Sequence, residues 1–324
     1  MKVESGTCGR AIAAGLLLLC AAPVAVAQTY PSRPVRVVVA FGPGGIADTI
    51  ARLVGQKLGE RFEQPVVVDN RAGAGGTVGA RLVAVAMPDG YTLLVVTAAV
   101  AVNASVAKDA VDPHKDLVPV ALAATAPTVF VVNRTVTAKT LMDYVRNAKG
   151  GRFTYSTAGI GTTEHLASDY VFRVVSGLDP THVPFQGGLA PVTAVLGQQV
   201  DMTVTTVPTA FQFIKQGALR ALATASLKRV SVLPDVPTLA EAGFPEFENA
   251  SWIGFFAPAK TSSVVVRMLN AEINKVLRQS DVRERLATIG FDPHTGSDAE
   301  FAGFVRTEVA KWSRVVKATG FSVN

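Results

Sequence analysis

Val35-Arg36-Val37-Val38-Val39-Ala40-Phe41-Gly42-Pro43-Gly44-Gly45-Ile46-Ala47-Asp48 opens on an apolar run and ends in a glycine-rich turn. A near-continuous apolar run of this length marks a strand buried on both faces. Behind the turn, Ile50, Leu53, Val54, Leu58 and Phe62 recur at helical spacing, which predicts a helix over Ala47–Phe62. Further along, Pro65–Val68 reads as a second strand, and Val78–Met87 as a helix stopped by Pro88-Asp89-Gly90. Tyr91–Val96 reads as a third strand. Strands alternating with helices mean βαβ units, hence an α/β protein with a parallel sheet covered on both faces.

After Val111–Pro119, which reads as polar and irregular, the alternation restarts. Strands are expected at Pro127–Val132, Phe153–Ser156, Asp201–Val207 and Leu219–Ala225, and helices at Leu141–Ala148, Thr163–Val175 and Phe211–Gln216. Leu233–Asn249, with Pro234, Pro237 and Pro245, is a second irregular stretch. Two amphipathic helices follow, Ser263–Leu277 and Asp298–Thr319, the latter entered through Ser297 or Asp298 with Glu300 behind it. Two α/β units joined by extended stretches predict two domains with a cleft between them, and ligands in such sheets lie at the carboxyl ends of strands.

Composition agrees with that size. The chain has 324 residues, 49% hydrophobic and 17% charged, enough for two cores and unlike a disordered chain. The net charge of +6 comes from scattered Lys and Arg with no clustered stripe, so nucleic-acid binding is not expected. A mildly positive field does favour small anions. Ala11–Ala22 is apolar, follows Lys2 and Arg10, and precedes Ala25-Val26-Ala27, so residues 1–27 read as a secretory signal cleaved before Gln28. Lipidation at Cys20 is the alternative, disfavoured by the bulky Leu19 before it. The two cysteines, Cys8 and Cys20, fall in that segment, so no disulfide, thiolate nucleophile or Cys-ligated metal is expected in the mature chain.

The chemistry is expected in the loops. Gly42-x-Gly44-x-x-Ala47, with Asp69 at the end of the next strand, matches a dinucleotide fingerprint. Pro43 removes a backbone donor, however, and Asp48 would set a negative charge where a pyrophosphate must sit. A small carboxylate suits the turn better, because glycines admit close approach and helix-terminal amides point outward. The candidate residues here are Phe41, Gly42, Pro43, Gly44, Gly45, Ile46 and Asp48, with Asp48 read as a cap or cross-loop acceptor ahead of a general base. Thr157-Ala158-Gly159-Ile160-Gly161-Thr162-Thr163 repeats the device on the second unit, making Gly159, Gly161, Thr162, Thr163 and His165 candidates. Phe185, Gln186 and Gly187 form a third glycine-rich segment, while Thr97 with Ala98, and Thr205, end strands that point to the same cleft.

A catalytic set is missing from the pattern. His114, His165, His182 and His294 are dispersed, no G-x-S-x-G elbow occurs, and there is no P-loop Lys-Ser/Thr. A binding protein without cofactor or metal is expected rather than an enzyme.

The chain resembles the Bug family of extracytoplasmic solute receptors, the binding proteins of tripartite tricarboxylate transporters. The resemblance runs through Tyr30-Pro31-Ser32-Arg33-Pro34, Gly44-Gly45-x-x-Asp48-x-x-Ala51-Arg52 and Asn70-Arg71-Ala72-Gly73-Ala74-Gly75-Gly76. It continues in Pro88-Asp89-Gly90-Tyr91-Thr92-Leu93, Gly159-x-Gly161-Thr162-x-x-His165-Leu166 and His182-Val183-Pro184-Phe185. It ends at Leu233-Pro234-Asp235-Val236-Pro237-Thr238 and Trp252-x-Gly254. The resemblance implies a type II periplasmic-binding-protein fold, a Venus flytrap of two Rossmann-like lobes with a ligand cleft and two crossovers. The expected lobes are 28–124 with 252–324, and 125–251. It further implies a periplasmic monomer that holds a ligand carboxylate between Phe41–Asp48 and Gly159–Thr163 and hands it to a membrane permease. The same fold serving as a ligand sensor without transport is the alternative, and a Rossmann-type nucleotide enzyme stands behind both. Three departures bear on the ligand. Gly42 stands where the family has a further proline, Phe185-Gln186 replace a Tyr and a cation, and Ala98-Ala99-Val100-Ala101 is unusually apolar. These shift the expected ligand from citrate toward a mono- or dicarboxylate with an apolar or aromatic body.

Overall fold

The first βαβ unit forms as its pattern dictates. In β1 (Val35–Val39), Val35, Val37, Val38 and Val39 are all buried. Helix α1 (Ile46–Phe62) turns Ile50, Leu53, Val54 and Leu58 onto the sheet and ends at Glu63 in the left-handed region (φ 51°). Strands β2 (Val66–Asn70) and β3 (Thr92–Thr97) pair with β1 in parallel, one on each side. Helices α2 (Thr77–Ala84) and α3 (Ala99–Val106) flank β3 in the chain. The computed structural model describes residues 1, 30–106, 110–148 and 152–319, and the expected signal peptide lies outside them apart from Met1. Every strand and helix belongs to the compact unit Arg33–Asn324.

Strand β4 (Leu117–Asn133) departs from the sequence reading, which places an irregular stretch over 111–119 and a strand only at 127–132. It is 17 residues long, well beyond the usual five or six. Its first part, Leu117–Pro127, pairs antiparallel with β9 (Ala250–Pro258), a strand that the pattern does not reveal. From Thr128 onward it pairs with β7 (Met202–Thr206) and with β8 (Leu219–Thr224). The two prolines disguise it, because proline argues against a central strand. Pro119 sits at a register shift against β9, and Pro127 is the last residue before the change of partners, so neither missing N–H interrupts a regular ladder.

The sheet path runs β2-β1-β3-β9-β4-β7-β5-β6, where β5 is Thr154–Thr157 and β6 is Thr181–Pro184. β8 and the short β10 (Asp292–Pro293) pair with β4 off this path. Beyond β4 the helices are α4 (Leu141–Asn147), α5 (Thr163–Asp169), α6 (Ala190–Leu196) and α7 (Val207–Lys215). A π-helical turn, Tyr170–Val175, extends α5 over the remainder of its expected length. Phe130, Tyr155, Phe172, Met202 and Val204 form one core of this region, and Val129, Val131, Val192, Val195 and Phe211 another. Alternate residues of β4 thus feed two cores, as period-two side chains must.

The chain returns through β9 to α8 (Ser263–Leu277), α9 (Ser280–Thr288) and α10 (Asp298–Thr319). The expected cap of α10 is a reciprocal pair: the Glu300 N–H donates to Ser297 Oγ (3.1 Å), and the Ser297 N–H to Glu300 Oε2 (2.7 Å). Trp252 of β9 and Trp312 of α10 both donate indole N–H bonds to buried Glu308, at 3.0 and 3.1 Å.

Candidate ligand-binding site

The Phe41–Asp48 turn is held by Asp48, which does not line the cavity described below. Its carboxylate accepts from the Gly44 N–H (2.9 Å), from Arg52 Nε (3.0 Å) and from Asn70 Nδ2 (3.0 Å), and Asn70 also donates to the Phe41 carbonyl (3.0 Å). Burial works to raise the Asp48 pKa, but the bonds from Arg52, Gly44 and Asn70 outweigh it and hold the carboxyl below its usual range. Gly45, at the N-cap of α1, has no side-chain cap, and the first-turn amides of a helix lack intrahelical acceptors. Asp69, the ribose partner a dinucleotide would need, is ion-paired to Arg36 and Arg71.

The 186–189 turn meets this one, and the Gly161 turn lies against α3. The Gly42 N–H donates to the Gln186 carbonyl (2.9 Å), and the Leu189 N–H to the Pro43 carbonyl (3.2 Å). A Cβ on Gly188 would overlap the Pro43 carbonyl oxygen, so backbone lies on backbone here. Gly161 has φ +74°, where an L side chain is strained, and a Cβ there would overlap Asn103 Oδ1 of α3. Asn103 in turn donates to the Gly75 carbonyl (2.9 Å).

The three turns enclose a cavity of about 30 Å³, lined among others by Phe41, Gly45, Ile46, Thr97, Thr162, Gly187 and Thr205. All seven are candidates from sequence. Its remaining lining is Ala47, Ala158, Glu164, Gly188, Thr206 and Thr209. A larger groove of about 600 Å³ lies elsewhere, among Thr125, Ser226, Lys228, Arg283 and Asp292, and no glycine-rich turn reaches it. Glycine and threonine residues supply much of the lining of the smaller cavity. Thr206 and Thr209 share a hydrogen bond there (2.9 Å), and Thr162 Oγ1 donates to the Gly159 carbonyl (2.8 Å).

The other sequence candidates stand behind this lining. Gly42, Pro43, Gly44, Gly159 and Gly161 shape the turns, and Gln186 takes part through its carbonyl. Ala98 is buried and donates its N–H to the Trp252 carbonyl (3.0 Å), while Phe185 packs on the second core. Thr163 Oγ1 donates to Glu164 Oε2 (3.3 Å), and the Thr163 carbonyl accepts from Asn249 Nδ2 (2.6 Å). His165 accepts from the Gly161 N–H (3.4 Å) and stacks on His182 at 3.9 Å between ring centres. Burial, with Arg173 adding to it, pushes the His165 pKa down to about 4. Burial and the neighbouring His165 take His182 down to about 3.

Glu164 and Thr209 are two of the six cavity residues that the sequence candidates omit, with Ala47, Ala158, Gly188 and Thr206. Glu164 occupies the second position of a helix, where an acid is unremarkable in a linear pattern. Thr209 lies in a helix that the pattern starts only at Phe211. Among the described residues, no group of three or more His, Cys, Asp or Glu could hold a metal ion. No helix among them is long and apolar enough to cross a membrane.

An α/β scaffold with glycine-rich backbone turns around a small polar cavity defines a solute-binding protein. Residues 50–321 match the tripartite tricarboxylate transporter family receptor, and the chain belongs to that family. It is 35% identical over 305 residues to protein BugT of Bordetella pertussis, covering 93% of each chain. Among solved structures it is similar to Rhodopseudomonas palustris Rpa4515 with adipate (TM-score 0.86, 31% identity, 90% of this chain and 99% of that one). It is likewise similar to MatC of the same species with bound malate (TM-score 0.83, 35% identity, 89% and 100%). A similar fold in the periplasmic binding protein BugD (TM-score 0.86, 30% identity, 90% of this chain and 99% of that one) makes this the fold of the periplasmic binding proteins, and the family consists of receptors rather than enzymes.

Proposed function

We propose that this chain is exported to the periplasm, captures a small carboxylate between two lobes and presents it to a permease of the tripartite tricarboxylate type. The observation that carries this reading is the cavity lined at once by the first turn of α1 and by the Thr162 turn. The change of β4 partners at Thr128 and the start of β9 at Ala250 support lobes that exchange chain within three residues of the boundaries expected at 124/125 and 251/252. The adipate and malate in the two relatives support a carboxylate, and the apolar Phe41, Ile46 and Ala47 suit one with an apolar body.

The binding energetics are those of a few charged hydrogen bonds. Each contributes about 1.5–3 kcal/mol, and the positive end of α1 about 0.3–2 kcal/mol. After losses of translational and rotational freedom, three or four such contacts give micromolar affinity, about −8 kcal/mol. A cavity of about 30 Å³ has room for one or two waters, whereas small-molecule pockets run to about 300–1,000 Å³. A ligand therefore enters only after the turns part, which breaks the Gly42–Gln186 and Leu189–Pro43 bonds, and the Gly161 turn returns against α3 as the lobes close on it. The test is native mass spectrometry of freshly purified protein, followed by calorimetry with the acid recovered and with neutral sugars. A co-purified organic acid that rebinds is expected, and equal affinity for a neutral sugar overturns the reading.

A further inference from the structure

The groove of about 600 Å³ lies behind the ligand cavity, on the far side of the chain that joins the lobes. Glu248 and Ala250 line the groove, while Asn249 between them is buried and donates its Nδ2 to the Thr163 carbonyl (2.6 Å), beside the cavity residues Thr162 and Glu164. Successive side chains of an extended segment point to opposite sides. The same alternation runs through the paired strand, where Thr125 and Pro127 line the groove and Ala126 between them is fully buried. Cavity and groove therefore flank the two crossover segments from opposite sides. One wall of the groove belongs to residues 225–250 of the second lobe, and the other to residues 283–293 of the first. The walls touch at one point, where a Cβ on Gly290 would overlap Val207 Cγ1. Val207 opens α7, whose Thr209 lines the cavity.

A rotation of the lobes about the crossover segments that widens the cavity narrows the groove. Here the cavity is pressed to about 30 Å³ and the groove is wide, the arrangement of a closed receptor. Each wall carries charges of both signs: Lys228 and Glu248 on the second lobe, and Arg283, Glu284 and Asp292 on the first. Lys228, Glu248, Arg283 and Glu284 are exposed, and none of the four makes an ion pair with a described residue, whereas Arg229 beside Lys228 is held by Glu241 at 2.8 Å. Asp292 reaches only across to His294 of its own wall, at 3.6 Å. Resting on the two-lobe reading above, we infer that the groove is an electrostatic latch for the open receptor: as the cavity opens, the cations of each wall meet the acids of the other. Exposed pairs are individually weak. That suits a hinge, because the latch has to yield when a solute binds, and a strong one would lower the fraction of molecules able to close and weaken capture in proportion. Charges behind the hinge thus set the affinity in front of it without touching the solute.

The experiment measures the ligand-free protein by small-angle X-ray scattering, for the wild type, Lys228→Glu and Lys228→Glu/Glu284→Lys. The single substitution makes the second-lobe wall wholly acidic against Glu284 and Asp292, so the walls repel, the groove stays wide and the radius of gyration falls. Adding Glu284→Lys turns that repulsion into attraction, and the radius rises to or above the wild-type value. Both differences fade in about 0.5 M salt, where exposed charges are screened. Calorimetry with malate and adipate as probes is expected to give the matching order, a probe that binds doing so about two- to fivefold more tightly in the single variant than in the double. Equal radii for the three proteins at low salt overturn the inference, and so does a double variant that follows the single, or equal affinity for a bound probe. Those results leave the capture reading standing, since its own test is recovery of a co-purified acid. If neither probe binds, the scattering decides alone. Both positions are exposed, and melting curves check the fold of each variant.

Discussion

Gly161→Ala separates what the backbone needs from what ligand capture needs. The substitution does two things, and they act in different states. The first is local: at φ +74° an alanine is strained by about 1–2 kcal/mol, whether or not ligand is bound. The second arises only while the turn lies against α3, because the new methyl group overlaps Asn103 Oδ1. Relief of that overlap requires Asn103 or the turn to move, at about 1–3 kcal/mol. If ligand binding brings the turns together, the second contribution falls on affinity, a loss of about 5- to 150-fold, and the first on unfolding free energy. Asn103→Ala removes the atom that is struck, at the expense of its bond to the Gly75 carbonyl, about 0.5–1.5 kcal/mol. The double variant Gly161→Ala/Asn103→Ala should therefore regain most of the affinity but not the stability lost through φ. Calorimetry and urea unfolding on all four proteins form a double-mutant cycle. Affinity unchanged in Gly161→Ala, or no recovery in the double variant, refutes the idea that closure presses the Gly161 turn against α3.

Two further outcomes follow from charges around the site. Asp48→Asn should lower stability by about 1–3 kcal/mol and weaken ligand binding, because it removes the acceptor that braces Gly44, Arg52 and Asn70. The folded pKa of Asp48 is depressed, so its contribution is present above the unfolded value of about 3.9 and disappears as pH falls below it. Wild-type melting curves should show that acid loss and Asp48→Asn should lack it; identical acid limbs would count against the brace. His165 and His182 act earlier in the acid range. Their folded pKa values, about 4 and about 3, lie below the unfolded value of about 6.5, so the unfolded chain takes up protons first. Stability should fall as pH drops below about 6.5, by up to about 1.4 kcal/mol per pH unit for each histidine. His182→Phe retains a stacked ring and should flatten this slope between pH 6 and 4, and a slope unaltered by the substitution would show the pair is not its source.

Short-range physics made much of the molecule legible. The Val35–Val39 strand, the apolar stripe of α1 and the Ser297–Glu300 cap depend on residues a few positions apart, where periodicity and hydrogen-bond chemistry decide the outcome. The same holds for the turn at Phe41–Asp48, whose acid caps its own loop. The stretch 117–126 of β4 was not legible, because Pro119 and Pro127 are tolerated only through a register shift and a change of partner that strands β9 and β7 impose from more than 70 positions away. Nor was β9, an apolar stretch without alternation in which every residue from Ser251 to Pro258 is buried.

By itself, the sequence determined an α/β protein with glycine-rich turns at strand ends, no cysteine chemistry after residue 27 and a recognisable receptor pattern. Only the tertiary structure decided which turns face one another and which side chains lie between them. Gly42 meeting Gln186 and Gly161 meeting Asn103 are contacts between distant segments. A residue's local pattern records which way it prefers to point. Its burial and its partners depend on what the rest of the chain brings over it.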